Sequence, residues 1–312
     1  MLRPVPKPSP SKKPWHVDAD GILDSRLLPD AEFGALWDAV VVDQELKDEL
    51  LAHGVLNFTL RGRVDHARIP QHGTIVLVGP PGTGKTSLAR GLASRIAETL
   101  AALGDFRFME VEPHALSSAS HGRTQKAVTE LFGKTIAERA DKPLIVLLDE
   151  VETLAADRTK MSLEANPIDV HRATDAMLAQ LDHLAANYPN LLFIATSNFP
   201  EAIDAALLSR ADLVRTVGLP DPEACRQILL STLDALGEAF PAVRQLASDA
   251  NVEKAARACE GLDGRQIRKI IPAACARRKV VAIDPGKLTG ADILAAAKAA
   301  ANEQRSRKEK KA

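Results

Sequence analysis

Between an apolar run, Thr74 to Val78, and an amphipathic stretch that opens at Lys85 stands the octapeptide Gly79-Pro80-Pro81-Gly82-Thr83-Gly84-Lys85-Thr86. Two glycines separated by four residues and followed by Lys and Thr make a phosphate-binding loop. Its glycines let successive backbone N–H groups converge on phosphate oxygens. Lys85 reaches the β- and γ-phosphates, the Thr86 hydroxyl suits Mg²⁺, and the helix that continues through Ser87 adds its positive end. A glycine-rich turn without nucleotide is the bland alternative. The strand before and the helix after argue against it, because this loop works only as the bend of a βα unit.

The rest of the chain is read against that unit. Phe106 to Val111, Leu144 to Leu148, Leu191 to Thr196 and Leu213 to Val217 repeat the short apolar run, with helical segments at about 85 to 101, 123 to 140 and 168 to 186 between them. The fold class is therefore α/β: a five-stranded parallel sheet sandwiched by helices, with its ligand crevice beyond the carboxyl ends of the strands. From Leu36 to Leu60 the apolar residues recur at helical spacing, and the first fourteen residues, with five prolines, are expected to form a mobile arm. After Leu219-Pro220-Asp221-Pro222 the strand-like runs stop and alanine-rich helical patterns take over. The expected organisation is an arm and short lead-in (1–35), a large α/β subdomain (36–219), a small all-helical lid (220–301) and a charged, fraying tail (302–312).

Four further features carry chemistry. The apolar run Leu144 to Leu148 ends in Asp149-Glu150, an acidic pair that this topology sets beside the phosphate loop, where Asp149 can hold the Mg²⁺ shell and Glu150 can polarise an attacking water. Asn198, just past the next apolar run, offers a neutral amide to the γ-phosphate and the water, although Asn is also a common turn residue. Arg210 is placed to reach a neighbouring subunit's γ-phosphate, and Arg265, at a helix start in the lid, can fold over the nucleotide of its own chain. For both arginines the base-rate reading is a surface side chain.

In this order these features resemble an AAA+ ATPase. The segments Trp37-Asp-Ala-Val-Val-Val-Asp43, Asp149-Glu-Val-Glu-Thr-Leu154, Asp175-Ala-Met-Leu-Ala-Gln-Leu-Asp182, Thr196-Ser-Asn198 and Ser209-Arg-Ala-Asp212 are similar to the pachytene-checkpoint AAA+ ATPases, which remodel HORMA-domain proteins. The likeness runs from about Trp37 to Ile271. It implies an ATP-driven homohexamer that needs ATP and Mg²⁺ and opens a HORMA-domain client. Within it Lys85 and Thr86 bind phosphate and metal, Asp149 and Glu150 form the Walker B pair, and Asn198 is sensor 1. Arg210 is the finger acting in trans, Arg265 is sensor 2, and Val41 and Val42 wall the adenine pocket. The family's first pore loop presents bulky residues, whereas the matching stretch here is Ser117-Ser118-Ala119-Ser120-His121-Gly122-Arg123. Ser120 and His121 are its candidates for gripping a client, and the expected grip is weak. Arg158 to Asp169 matches a second pore loop, or a flexible connector. The short stretch before the phosphate loop resembles prokaryotic members linked to cyclic-nucleotide antiphage (CBASS) signalling, which restrain a nucleotidyltransferase (CD-NTase) by dismantling its HORMA activator.

Composition removes competing classes. Forty Lys plus Arg against 41 Asp plus Glu leave a net charge of -1, so no global positive field attracts nucleic acid, which weighs against a DNA- or RNA-loading ATPase. Aromatics at 4% supply no stacking platform. Cys225, Cys259 and Cys275 form no metal-spaced pair and suit a reducing compartment. With neither a signal sequence nor an apolar run of spanning length, the expected location is cytoplasmic, away from membranes. Two other readings remain: an unfoldase or enzyme activator with a different protein client, and a degenerate nucleotide-binding scaffold. The intact Lys85, Asp149, Glu150 and Asn198 argue against the scaffold.

Overall fold

The computed structural model describes residues 15–113, 116, 123–154 and 167–309. Its sheet has six strands in the order β1-β3-β4-β5-β2-β6. These are β1 (Ile22–Leu28), β2 (Thr74–Val78), β3 (Phe106–Val111), β4 (Leu144–Leu148), β5 (Leu191–Ser197) and β6 (Leu213–Thr216). Strands β3, β4 and β5 run parallel, with Val111 opposite Leu148 and Leu148 opposite Ala195. Every residue of β2, β4 and β5 is buried, which explains why these strands read as unbroken apolar runs: helices cover both faces.

The count of five parallel strands is corrected by β1. It pairs antiparallel with β3 at the edge of the sheet, from Ile22 opposite Val111 to Leu28 opposite Phe106. Its sequence, Ile-Leu-Asp-Ser-Arg-Leu-Leu, lacks the apolar signature because an edge strand is only half covered. The ladder to β3 holds it, with Ser25 and Leu28 buried, and local charge adds to this. Arg26 bonds Asp24 at 2.7 Å and Glu32 at 3.0 Å, and its guanidinium lies 4.3 Å from the centre of the Phe33 ring. Residues 22–28 are thus part of the sheet, where a lead-in was expected. Residues 1–14, the expected arm, lie outside the described residues.

Helices α1 (Ala31–Ala39) and α2 (Gln44–Leu60) divide what the spacing read as one segment. The break is at Asp43, whose carboxylate accepts the Glu45 N–H at 3.0 Å and so starts α2 afresh. Helix α3 (Lys85–Thr99) follows the phosphate loop. Helix α4 (Arg123–Glu130) continues through a π-helical stretch, Leu131–Ile136, and α5 (Pro167–Asn187) leads to β5. Beyond the short α6 (Ala205–Leu208) and β6, all elements are helical: α7 (Pro222–Ala239), α8 (Ala250–Ala258), α9 (Gly264–Arg268), α10 (Ile270–Ala276), α11 (Lys279–Ile283) and α12 (Gly290–Glu309). The charged tail is helical to Glu309 where fraying was expected. Arg307 bonds Glu303 one turn back at 2.5 Å in a run of strong helix formers.

The chain divides into two compact units. One takes the described residues of Met1–Trp37, Glu49–Leu77 and Ala89–Val214, and the other those of Asp38–Asp48, Val78–Leu88 and Arg215–Ala312. In the first, Phe33 meets Phe108 edge-on at 4.9 Å, while Phe132 stacks on Phe193 at 5.8 Å. In the second, Ile228, Leu229, Leu233, Ile267 and Ile293 pack around Cys225 and Cys259. Three of its helices start at acidic caps: Asp221 on α7, Asp249 on α8 and Asp263, in a full capping box with Gln266, on α9.

Burial pushes the Cys225 thiol up to about 11 and the Cys259 thiol up to about 12. Both are fully buried, whereas Cys275 is partly exposed. In the folded protein at pH 8 a thiol reagent should therefore react first at Cys275, with the other two responding only on unfolding. A time course with a chromogenic disulfide, with and without denaturant, measures this; prompt reaction of two or three thiols in the native protein would contradict the packing.

Candidate functional site

The phosphate loop lies in the second unit and is shaped by close backbone approach. A Cβ on Gly79 would fall 2.2 Å from the Val217 carbonyl oxygen. One on Gly82, where φ is +83°, would fall 2.4 Å from the Asp263 carboxyl carbon. Lys85, 5% exposed, donates from Nζ to the carbonyls of Gly79 at 2.8 Å and Pro80 at 2.9 Å, and Thr83 Oγ1 donates to Pro80 at 3.0 Å. Helix α3 then opens at Lys85 with no acidic residue in its first turn, which leaves its own N–H groups and dipole free of an acidic cap. Thr86 and Ser87 sit half-buried in that turn.

The same unit brings the lid helix α9 and the segment before α2 to the loop. The Arg265 N–H donates to the Gly82 carbonyl at 3.3 Å, while the Arg265 side chain is exposed. Val41 packs on the lid core and Val42 is half-buried. Val40, which the sequence reading did not single out, is 7% exposed, with a methyl 3.3 Å from the point a Cβ on Gly84 would take. Arg268 donates to the Ala39 carbonyl and ties α9 to this valine segment.

Asp149, Glu150 and Asn198 belong to the first unit, where the β4–β5 register sets them side by side. Thr196 Oγ1 donates to Asp149 Oδ1 and accepts the Glu150 N–H at 3.2 Å. Asn198 Nδ2 donates to Glu150 Oε1 at 2.9 Å, and the Asn198 N–H donates to Glu152 Oε1 at 3.1 Å. Glu150 is left-handed, with φ 53° and ψ 50°, the one non-glycine residue with positive φ among the described residues. That backbone costs roughly 1–2 kcal/mol, and the bonds to Thr196 and Asn198 offset it. Glu152 Oε2 is buried without a hydrogen-bond partner among the described residues.

Arg210 follows α6 and forms a two-pronged bond to Asp182 on α5, Nε to Oδ1 and Nη2 to Oδ2, each at 2.7 Å, while Nη1 donates to the Ala206 carbonyl at 2.8 Å. Its hydrogen bond to Asp182 holds that carboxyl below the usual range. His72 Nε2 lies 3.9 Å from the same carboxylate, and burial pulls the His72 pKa down. Asp212, two residues on, accepts the N–H groups of His72, Gly73 and Thr74 and so fastens the turn into β2. Ser120 and His121 lie outside the described residues, as does all of Arg158 to Asp169 except the first turn of α5.

Reading the sequence missed a second charged pair. Glu110 on β3 is 1% exposed and takes a bidentate bond from Arg90 on α3, Nε at 2.9 Å and Nη2 at 2.6 Å. The hydrogen bond to Glu110 raises the Arg90 pKa against the pull of burial, and the attraction of Asp149 adds to it. A glutamate inside the apolar run Phe-Arg-Phe-Met-Glu-Val was the available signal, since a buried carboxylate needs a cation. Arg90→Ala should destabilise the fold by about 3–5 kcal/mol by stranding Glu110, and Arg90→Leu with Glu110→Leu should recover part of the loss. Denaturant unfolding of the three proteins checks this; a single variant as stable as the parent would show that Glu110 is solvated.

Residues 75–219 match the model of the ATPase family associated with various cellular activities (AAA). The chain is 56% identical over 270 residues to CD-NTase-associated protein 6 of Pseudomonas aeruginosa, covering 86% of this chain and 88% of that protein. It is 34% identical to the pachytene checkpoint protein 2 homolog of Xenopus tropicalis, covering 78% of this chain and 62% of the longer relative. Among solved structures, C. elegans PCH-2 superposes with a TM-score of 0.71 at 28% identity, over 93% of this chain and 78% of that one. A chain of the E. coli MS115-1 HORMA:CdnC:Trip13 complex shares the fold, with a TM-score of 0.73 at 19% identity, over 91% of this chain and 97% of that one. Among the described residues no helix is long and apolar enough to cross a membrane. A phosphate loop at a bare helix start, an Asp-Glu pair laced to the next strand and this likeness agree: the chain belongs to the AAA ATPases, in the family of CD-NTase-associated protein 6 and the pachytene checkpoint ATPases.

Proposed function

We propose that the protein is a cytoplasmic, homohexameric remodeller that uses ATP to open a HORMA-domain protein and so restrains a CD-NTase antiphage system. The observation that carries this reading is the 56% identity to CD-NTase-associated protein 6 over most of both chains. The client class follows from the pachytene-checkpoint resemblance. The large subdomain 36–219 and the lid 220–301 act as the parts that move with each cycle.

The loop residues Gly79 to Thr86 cradle the triphosphate, a role their glycine geometry and buried Lys85 fit, and Ser87 extends the helix start beneath it. Val41 and Val42, with Val40, face the adenine. Thr86 and Asp149 would hold Mg²⁺, largely through water, and the ion would supply positive charge against the β- and γ-phosphates. Glu150 accepts a hydrogen bond from the attacking water, whose oxygen bonds to the γ-phosphorus as the bond to the β-bridging oxygen breaks and ADP leaves. Asn198 releases Glu150 to orient that water. Arg265 steadies the nucleotide from the lid, and Arg210, aimed by Asp182, stabilises the transition state on the neighbouring subunit.

Glu150→Gln should keep ATP binding and nearly abolish turnover, because the amide keeps the shape and loses the charge. Purified with a HORMA protein bound to its nucleotidyltransferase, this variant should trap the complex that the parent separates. ATPase rates and size-exclusion profiles decide it: parent-level turnover would refute the role of Glu150, and an undisturbed HORMA complex with the parent enzyme would refute the client.

Arg210→Ala should lower turnover by roughly 10³- to 10⁵-fold, or less where other arginines compensate, with nucleotide binding intact. Mixing it with Lys85→Ala subunits should restore activity that neither variant has alone. Proven mixed rings with no recovery would rule out a finger supplied in trans.

A further inference from the structure

We propose that Thr196 is a positioning residue for ATP hydrolysis, one hydroxyl that sets the Asp149 carboxylate and the Glu150 backbone relative to each other. The sense of its two bonds is fixed by chemistry. A carboxylate can only accept and a backbone N–H can only donate, so the single Thr196 proton goes to Asp149 Oδ1 and a lone pair receives the Glu150 N–H. Thr196 is 1% exposed, so water is not at hand to replace either bond.

The position follows from the ladder. Leu148 pairs with Ala195, after which β4 ends and the chain turns into the left-handed Glu150 while β5 runs on to Ser197. The Thr196 side chain takes over the role of the ladder there, accepting the amide that the turn carries away from β5. Residues two apart on a strand share a side, so Thr196 and Asn198 face the same acidic turn from successive positions. Thr196 holds the backbone of Glu150, and Asn198 Nδ2 holds its carboxylate at 2.9 Å. Ser197 between them is turned to its own chain, its Oγ accepting the Phe199 N–H at 3.1 Å. Release of the carboxylate by Asn198 therefore leaves the Glu150 backbone anchored, and the side chain swings about a fixed Cα.

This inference rests on the assignment of Asp149 and Glu150 to hydrolysis, and the experiment separates the two. Thr196→Val, Thr196→Ser and Glu150→Gln are compared for kcat, for KM of ATP, for affinity toward a fluorescent ADP and for thermal midpoint. Thr196→Val should lose about 10- to 100-fold in kcat, as expected for one charge-assisted bond, with KM and ADP affinity within about threefold of the parent. Thr196→Ser, which keeps the hydroxyl, should recover to within about threefold. Should Thr196→Val fail to fold, Thr196→Ala reads the same loss against Thr196→Ser. An inactive Glu150→Gln beside an undiminished Thr196→Val overturns this inference alone, as does an equal loss in Thr196→Val and Thr196→Ser. Parent-level turnover in Glu150→Gln overturns the hydrolytic assignment and this inference with it.

Discussion

The arrangement of the acidic site depends on the pairing of Leu148 with Ala195 in the central parallel ladder. All of β4 and β5 is buried, so a slip of one residue would move the side chains of the slipped strand to the opposite packed face, leaving crowded sites on one side and voids on the other. Apolar packing thereby fixes where two strands end, and the residues just past those ends inherit the precision. Asp149, Glu150, Thr196 and Asn198 need no element of their own; they are the first polar residues beyond a register that hydrophobic burial already enforces.

Two polar irregularities lie at the same ends. Glu150 holds a backbone conformation that non-glycine residues seldom adopt, and Glu152 keeps a buried carboxylate oxygen without a partner among the described residues. Elsewhere the buried charges are matched: Glu110 by a two-pronged Arg90, and the Arg61 guanidinium by the carbonyls of Leu191, Ala185 and Tyr188, its pKa lowered by burial. Asn57 Oδ1 is a fourth acceptor for Arg61, at 3.1 Å. The strain at Glu150 is local, and the bonds of Glu150 with Thr196 and Asn198 offset it.

The fold was legible wherever burial writes a pattern. The apolar runs placed β2, β3 and β4 with the bounds the structure gives, and the glycines of the phosphate loop announced their backbone. Strand β1 was invisible because it is held by backbone pairing to β3 and by the charges around Arg26, which leave no apolar period in the sequence. The break at Asp43 was hidden by apolar residues that continue the helical spacing across it. At the site, Asp149, Glu150 and Asn198 could be named from residue type at a strand end. Thr196 and Arg90 could not, since a threonine in a strand and an arginine on a helix are ordinary. Their meaning comes from the partner opposite, which only the register supplies.

Arg90 and Arg210 show how the same guanidinium is put to different uses. Both grip a carboxylate with two prongs at similar distances. Glu110, however, is 1% exposed, and removing its partner strands a charge in the core, so that pair is permanent. The Asp182 side chain is 45% exposed and can be hydrated when its partner leaves. Removing Arg210 from Asp182 would therefore cost less than removing Arg90 from Glu110, because water can reach the carboxylate left behind. Burial of the acceptor, more than the geometry of the bond, separates an arginine that holds the fold from one that is free to change its partner.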